Sequence, residues 1–419
     1  MPIRSRLRGA QLGRENIGHV RRFVVAFGAF VALLGSAACI GTSAGGATTA
    51  STEASKSTPR PTSTEVSVKA ASLQSFIPST SRTWWAVVQP YSQGAIVART
   101  VDSGRHWHEV WATPTGAITS NDFLNSEVAW IVGWVEQGSA YPPPSEPLYR
   151  TRDGGKSWQR LVNVPNGCQL DFVDQLHGWC TVIGAAAGSE SFALYRTLDG
   201  GSTWKLASST GLNDTGSTPG DVPFGCDKTI SFTSASVGWI SSWCNGGPYY
   251  LFTSDDGGSQ WQRRRVPLPP GTSTLAYGSG LDRPVVAGDD VAASVLIGGL
   301  PGTTAVATSA DGGLTWSTHV VPHPHEPWTV DLIDPAHWVL SDGNLLMATD
   351  DAGARWQTWV SPVKMKGNDG ETLSLDFLNP SIGWAVPDPN GGPMWWTVNG
   401  GAGWRAVQIT AGPYRIPTA

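Results

Sequence analysis

Thr151-Arg152-Asp153-Gly154-Gly155-Lys156-Ser157-Trp158 is an eight-residue box that decides how the rest of the chain is read. The short carboxylate of Asp153 can accept hydrogen bonds from N–H groups of its own turn. Gly155 can take the positive φ that a tight hairpin needs, and Trp158 opens the next strand with a large apolar anchor. The pattern Ser/Thr-x-Asp-x-Gly-x-x-Trp occurs seven times, beginning at Thr100, Thr151, Thr197, Ser254, Ser309, Thr349 and Thr397. Its third position is Asp102, Asp153, Asp199, Asp256, Asp311 and Asp351, with Asn399 in the last copy. Successive copies start 51, 46, 57, 55, 40 and 48 residues apart, a period suited to one four-stranded antiparallel unit per repeat. The expected fold is all-β, a seven-bladed β-propeller with four antiparallel strands per blade.

A looser repeat precedes each box. An apolar residue, a short polar turn and a Trp recur as Phe123 with Trp130, Phe172 with Trp179, Phe232 with Trp239 and Phe377 with Trp384, each seven apart. Phe76 with Trp84 and Leu332 with Trp338 are looser copies, and the fifth blade keeps Val285, Val286 and a strand-like run from Val291 to Ile297. Each blade therefore reads as strand A, turn, strand B, loop, strand C, box, strand D. Because the strands alternate in direction, A–B turns and boxes share one face, while B–C and D–A loops share the other. The first set is nearly constant in length and the second varies, and variable loops on a rigid scaffold are where binding usually resides. The box carboxylates are expected to be turn caps, and the tryptophans to pack between blades.

Composition agrees with many short strands: Gly 50, Pro 30 and Trp 21, with 15% charged residues. The first 38 residues read as an export signal: Arg4, Arg6, Arg8, Arg14, Arg21 and Arg22 precede an apolar run from Phe23 to Leu34, and Ser36-Ala37-Ala38 leads into Cys39. Removing 1–38 lowers the formal charge from −5 to −10, and an acidic body of this kind is a poor partner for nucleic acid or anionic lipid. Cys39 stands where a bacterial lipoprotein carries its lipid, although Ser36 replaces the usual Leu. Simple secretion and an uncleaved anchor are the alternatives. Residues 39–65 form a tether rich in Ser, Thr, Pro and Gly, 66–412 the propeller, and 413–419 a tail.

The boxes resemble the Asp-box repeats of sialidases, sortilin-type receptors, xyloglucanase-like glycosidases and Ycf48-type photosystem II assembly factors. The pairing of Asp-Phe, a turn, Gly-Trp and then Thr-x-Asp-Gly-Gly-x-x-Trp is most similar to the last group and to sialidase-like bacterial proteins. The resemblance covers about residues 70–410 and is specific for fold rather than activity. It implies either a non-catalytic scaffold binding a protein or glycan at the envelope, or a sialidase-like glycoside hydrolase. Sialidases place a Phe/Tyr-Arg-Ile-Pro motif before the first blade; here Tyr414-Arg415-Ile416-Pro417 follows the last box, at the wrong end of the chain, and reads as a chance match. The two-propeller cleft of xyloglucanase-like enzymes needs more residues than this chain has. The leaning is therefore toward no catalysis, with no cofactor and no metal.

The candidate binding face carries Trp134 and Trp243 at the ends of B strands, and His323, His325 and Trp328 between blades 5 and 6. The histidines, interleaved with Pro322, Pro324 and Pro327, read as a solvated loop before a metal site. Trp395 and Trp396 are either further binding aromatics or rim packing. Four cysteines follow Cys39. Cys226 lies six before Phe232 and Cys244 five after Trp239, nearly opposite across an A–B hairpin. Elimination leaves Cys168 with Cys180 at a stagger of three residues, about 10 Å along a strand, which requires a bulge or bend.

Overall fold

The computed structural model describes residues 73–89, 94–113, 116–134, 145–184, 191–210, 222, 227–243, 249–268, 280–281, 284–297, 303–321, 329–341, 344–361, 374–386 and 394–407. The expected leader, the tether, the tail, and Cys39, Cys226, Cys244, His323, His325, Trp328 and Arg415 lie outside the described residues.

Seven antiparallel sheets follow one another along the chain, at 73–113, 117–165, 168–209, 227–264, 280–320, 329–360 and 374–407. Blade 2 is representative. Its strands A to D are Ala117–Phe123, Ala129–Trp134, Ser145–Thr151 and Gln159–Pro165, each paired with the next. The expected all-β seven-bladed propeller is the fold observed. In blade 5 the first strand is broken into Gly280–Leu281 and Val285–Ala287, both pairing Asp290–Ile297. That break is where the sequence repeat was weakest.

Alternation along each strand sends side chains to both faces of the blade, so every blade has an apolar surface toward each neighbour. Trp130 is 0% exposed and stacks on Phe172 of the next blade at 3.7 Å between ring centroids. Its indole N–H donates to Gly200 O of that blade's box at 2.9 Å. Trp179 repeats the arrangement on Phe232 at 3.5 Å, with its N–H on Gly257 O at 2.9 Å. Blades are thus coupled by apolar contact and by a directional bond that fixes their spacing.

A second coupling runs between adjacent A strands. The buried carboxylate of Asp122 accepts from Phe172 N, Asp171 accepts from Phe232 N at 2.7 Å, and Asp331 accepts from Phe377 N at 2.6 Å. Asp122, Asp171 and Asp331 therefore each tie their blade to the following one, which a reading confined to the boxes does not reveal.

The ring closes without strand exchange among the described residues, since blades 1 and 7 are each built from contiguous strands. Aromatics close it instead. Trp84 packs edge-on to Trp384 at 5.7 Å and to Trp396 at 5.5 Å, with Phe76 and Trp107 in the same cluster. Trp395 packs in the junction between blades 6 and 7. Both belong to rim packing. The box tryptophans divide: Trp107, Trp261 and Trp316 are buried, whereas Trp158, Trp204, Trp356 and Trp404 are half-buried. All seven rings pack in the apolar clusters between neighbouring blades, as expected, but to different depths. Trp158 lies partly over its neighbour, with its N–H on Val110 O of blade 1 at 2.9 Å.

Candidate functional site

The box carboxylates are consumed by the fold. In blade 2, Thr151 Oγ1 donates to Asp153 Oδ1 at 2.9 Å and accepts from Gly155 N at 2.9 Å. Ser157 completes the carboxylate, donating from its N–H at 2.9 Å and its hydroxyl at 2.6 Å. The same core of bonds recurs at Asp102, Asp199, Asp256, Asp311 and Asp351. Asn399 reproduces it with an amide oxygen, accepting from Thr397 Oγ1 at 2.9 Å and Gly403 N at 2.8 Å.

These donors favour the ionised form. The Thr315 hydroxyl, its N–H and the Ser309 hydroxyl hold Asp311 down at about 2, and Arg355 does the same for Asp351, also about 2. For Asp153, Asp199 and Asp256 desolvation pushes upward, but the turn bonds outweigh it and the carboxyls lie below the ordinary range. A carboxylate held in its ionised form by the donors of its own turn is a poor proton donor near neutral pH and offers few free lone pairs.

Each box is also fastened to the A–B turn of its own blade. Gly154 N donates to Glu127 O at 2.9 Å, and equivalent bonds join Ser103 to Arg82, Gly200 to Leu176, Gly257 to Ser236, Gly312 to Asp289, Ala352 to Ala336 and Gly400 to Ser381. Boxes and A–B turns therefore share one face in every blade.

Three arginines on that face serve the scaffold too. Arg99, Arg150 and Arg196 each stand directly before the box Thr of blades 1 to 3. Arg99 donates to Ser126 O at 2.9 Å, Arg150 to Gly200 O at 3.0 Å, and Arg196 to Asp256 O at 3.2 Å and Ala235 O at 2.8 Å, all in the next blade. Arg99 and Arg196 also lie over the Trp85 and Trp179 rings at 5.2 and 5.8 Å. They bridge blades and do not converge on a common point as a carboxylate-binding triad would.

The opposite face receives the B–C and D–A connections. Trp134 and Trp243 are the last residues of their B strands, paired with Ala117 and Asp227, so the backbone places them at the same level on blades 2 and 4. One blade separates them, and their side chains lie outside the described residues, as do His323, His325 and Trp328. Glu146, at the same end of strand C in blade 2, is 0% exposed, and burial raises its carboxyl above the usual range. It accepts from Gly167 N at 3.3 Å, so it is bound to the scaffold. Among the described residues no group of three His, Cys, Asp or Glu is placed to hold a metal ion.

Cys168 and Cys180 form a disulfide with Cα atoms 5.2 Å apart. The hairpin register corrects the expected geometry. Cys180 faces Leu170 and Cys168 faces Val182, a stagger of two residues rather than three, with no register shift. The two side chains are diagonal neighbours on one face, and no bulge is required. In blade 4 the ladder is described as far as Asp227 opposite Trp243, one residue short of Cys226 and Cys244.

A cavity of about 270 Å³ opens on the box face between blades 6 and 7, lined by Val339, Ala348, Trp359, Pro380 and Gly400 among others. The sequence reading pointed only to the opposite face. At this cavity Val339 and Ala348 stand where blades 1 to 3 carry Trp and Arg, a departure that blade 5 shares with Ala292 and Thr308.

No family model and no curated protein matches the chain. Among solved structures, that of YCF48 bound to a D1 peptide is similar over 82% of this chain and 96% of its own, at 15% identity and a TM-score of 0.51. A polysaccharide lyase of family PL25, an ulvan lyase, overlaps 80% of this chain and 92% of its own at 10% identity and a TM-score of 0.47. An α-L-arabinofuranosidase from Fusarium graminearum overlaps 66% and 90% at 16% identity and 0.39. What the first of these likenesses establishes is the propeller fold.

Proposed function

We propose that the chain is an exported, non-catalytic propeller that binds a protein or glycan partner at the cell surface through its B–C and D–A loops, held at the membrane by a lipid on Cys39. The observation that carries this reading is the asymmetry between the faces. On the box face the six box carboxylates and three arginines are spent on their own turns or on the next blade. The other rim is free to vary in length and sequence around a fixed ring. The YCF48 structure is one case of such a ring holding a peptide.

Crosslinking in intact envelopes followed by mass spectrometry tests the reading, and should join loop-face residues to a protein or glycan. The same native material gives the N-terminus, expected at Cys39 with lipid attached. Turnover of sialosides or xyloglucan at enzyme-like rates by purified protein would overturn the proposal and support a sialidase-like hydrolase; Arg415 would then be the first residue to replace.

A further inference from the structure

At the box-face rim of each junction, a strand B residue pairs with the strand C residue directly before the box. In blades 1 to 3 the pairs are Trp85 with Arg99, Trp130 with Arg150 and Trp179 with Arg196. Blade 4 pairs Trp239 with Thr253, and blade 7 pairs Trp384 with Trp396. Blade 5 lacks both groups with Ala292 and Thr308, and in blade 6 the pair is Val339 with Ala348. The blade's tryptophan has moved one residue earlier: Trp338 pairs with Thr349. A one-residue offset flips a side chain to the other face of a sheet, and Trp338 packs with Ala292, Val306 and Leu332 toward blade 5. The junction between blades 6 and 7 thus lacks both the ring and the guanidinium, and the cavity of about 270 Å³ occupies their place.

The acceptors that those arginines use have counterparts here. Gly400 is the fourth residue of its box, as Gly200 is, and Pro380 lies three residues after the strand A Phe377, as Ser126 and Ala235 lie three after Phe123 and Phe232. Their spacing is alike: a Cβ on Gly400 would stand 3.0 Å from Pro380 O, as one on Gly200 would stand 2.5 Å from Gln175 O and 2.7 Å from the Arg150 guanidinium. Trp359 adds an aromatic wall fixed by its N–H on Gly401 O at 3.2 Å, and exposed Asp350 stands among the lining residues.

We infer that this cavity takes the guanidinium of an arginine side chain presented by a partner protein. The planar fork suits a pair of carbonyl acceptors such as those of Gly400 and Pro380, its face suits Trp359, and an acidic chain favours a cationic visitor. The site lies on the box face and stands independently of the loop-face reading, so each can fail alone.

The experiment follows the indole N–H resonances of the purified full chain, with Trp359 assigned through Trp359→Phe, while N-acetyl-arginine N-methylamide is added. The expected result is a saturable shift of the Trp359 signal, at least tenfold weaker with the lysine and citrulline analogues and with guanidinium chloride. Ala348→Arg should supply the missing guanidinium from within, abolish the shift and raise Tm by about 1–3 °C. Ala348→Leu should abolish the shift by bulk alone, and it decides the matter if the arginine variant does not fold. No saturable shift in the wild type, equal shifts with all probes, a shift surviving Ala348→Leu, or a folded Ala348→Arg chain with lowered Tm would each overturn the inference.

Discussion

Gly155→Ala against Gly167→Ala separates the two demands that the box places on its glycine. Both residues hold positive φ, +83° at Gly155 and +77° at Gly167. The left-handed conformation costs an alanine about 1–2 kcal/mol, and the entropy that alanine removes from the unfolded chain is common to both variants. What differs is the space. A Cβ at Gly155 would meet Val110 Cβ of blade 1 at 2.7 Å and its Cγ2 at 2.9 Å, whereas nothing stands within 4 Å of one at Gly167. Val110 is strand D of the neighbouring blade and cannot retreat without moving that blade, so overpacking adds about 1–3 kcal/mol. Expected losses in equilibrium urea denaturation are about 1–2 kcal/mol for Gly167→Ala and about 2–5 kcal/mol for Gly155→Ala. Losses equal within about 0.5 kcal/mol would show that blade 1 yields freely and that the box glycine is not pressed against it.

Other outcomes follow from the same geometry. Trp130→Ala should cost about 3–5 kcal/mol, against about 1–3 kcal/mol for the half-buried Trp158→Ala; Trp130→Phe, which deletes the bond to Gly200 O, should fall between wild type and Trp130→Ala on a thermal melt. Because the box carboxyls are lowered in the folded state, their contribution is complete above their unfolded value near 3.8 and is lost as pH falls toward about 2. Tm should therefore drop between pH 4 and about 2, and Asp311→Asn, imitating Asn399, should flatten that drop. Non-reducing peptide mapping should recover Cys168 with Cys180 and Cys226 with Cys244; a bridge between blades would refute that pairing.

The fold was legible because the box is a local device. Thr151, Asp153, Gly155 and Ser157 satisfy one another within a single turn, so their spacing in sequence is their geometry in space. Seven repetitions then leave one way to bury seven apolar pairs of faces. What the residues did not disclose is non-local. The Asp122 bond to Phe172 N and the Arg196 bonds to blade 4 join residues tens of positions apart, and nothing local distinguishes them from solvated charges. The Cys168 stagger is two residues rather than three, since the tight turn after Phe172 pairs it with Gly178 rather than with Trp179. The cavity between blades 6 and 7 required comparing Ala348 with its equivalents in register. Trp338 looks like the strand B tryptophans of blades 2, 3, 4 and 7 until its partner is known to be Thr349, the register that Trp84 holds with Thr100 in blade 1.

The claim that the loops bind while the boxes hold the ring is tested most directly by affinity and melting temperature measured side by side on two variants, using the partner recovered by crosslinking. Replacing Trp134, Trp243 and Trp328 with Ala together should weaken binding at least tenfold while leaving Tm nearly unchanged, and replacing Asp153 and Asp199 with Ala should lower Tm while the folded fraction binds as wild type. Undiminished binding by the tryptophan variant, or loss of binding by a fully folded aspartate variant, would contradict it.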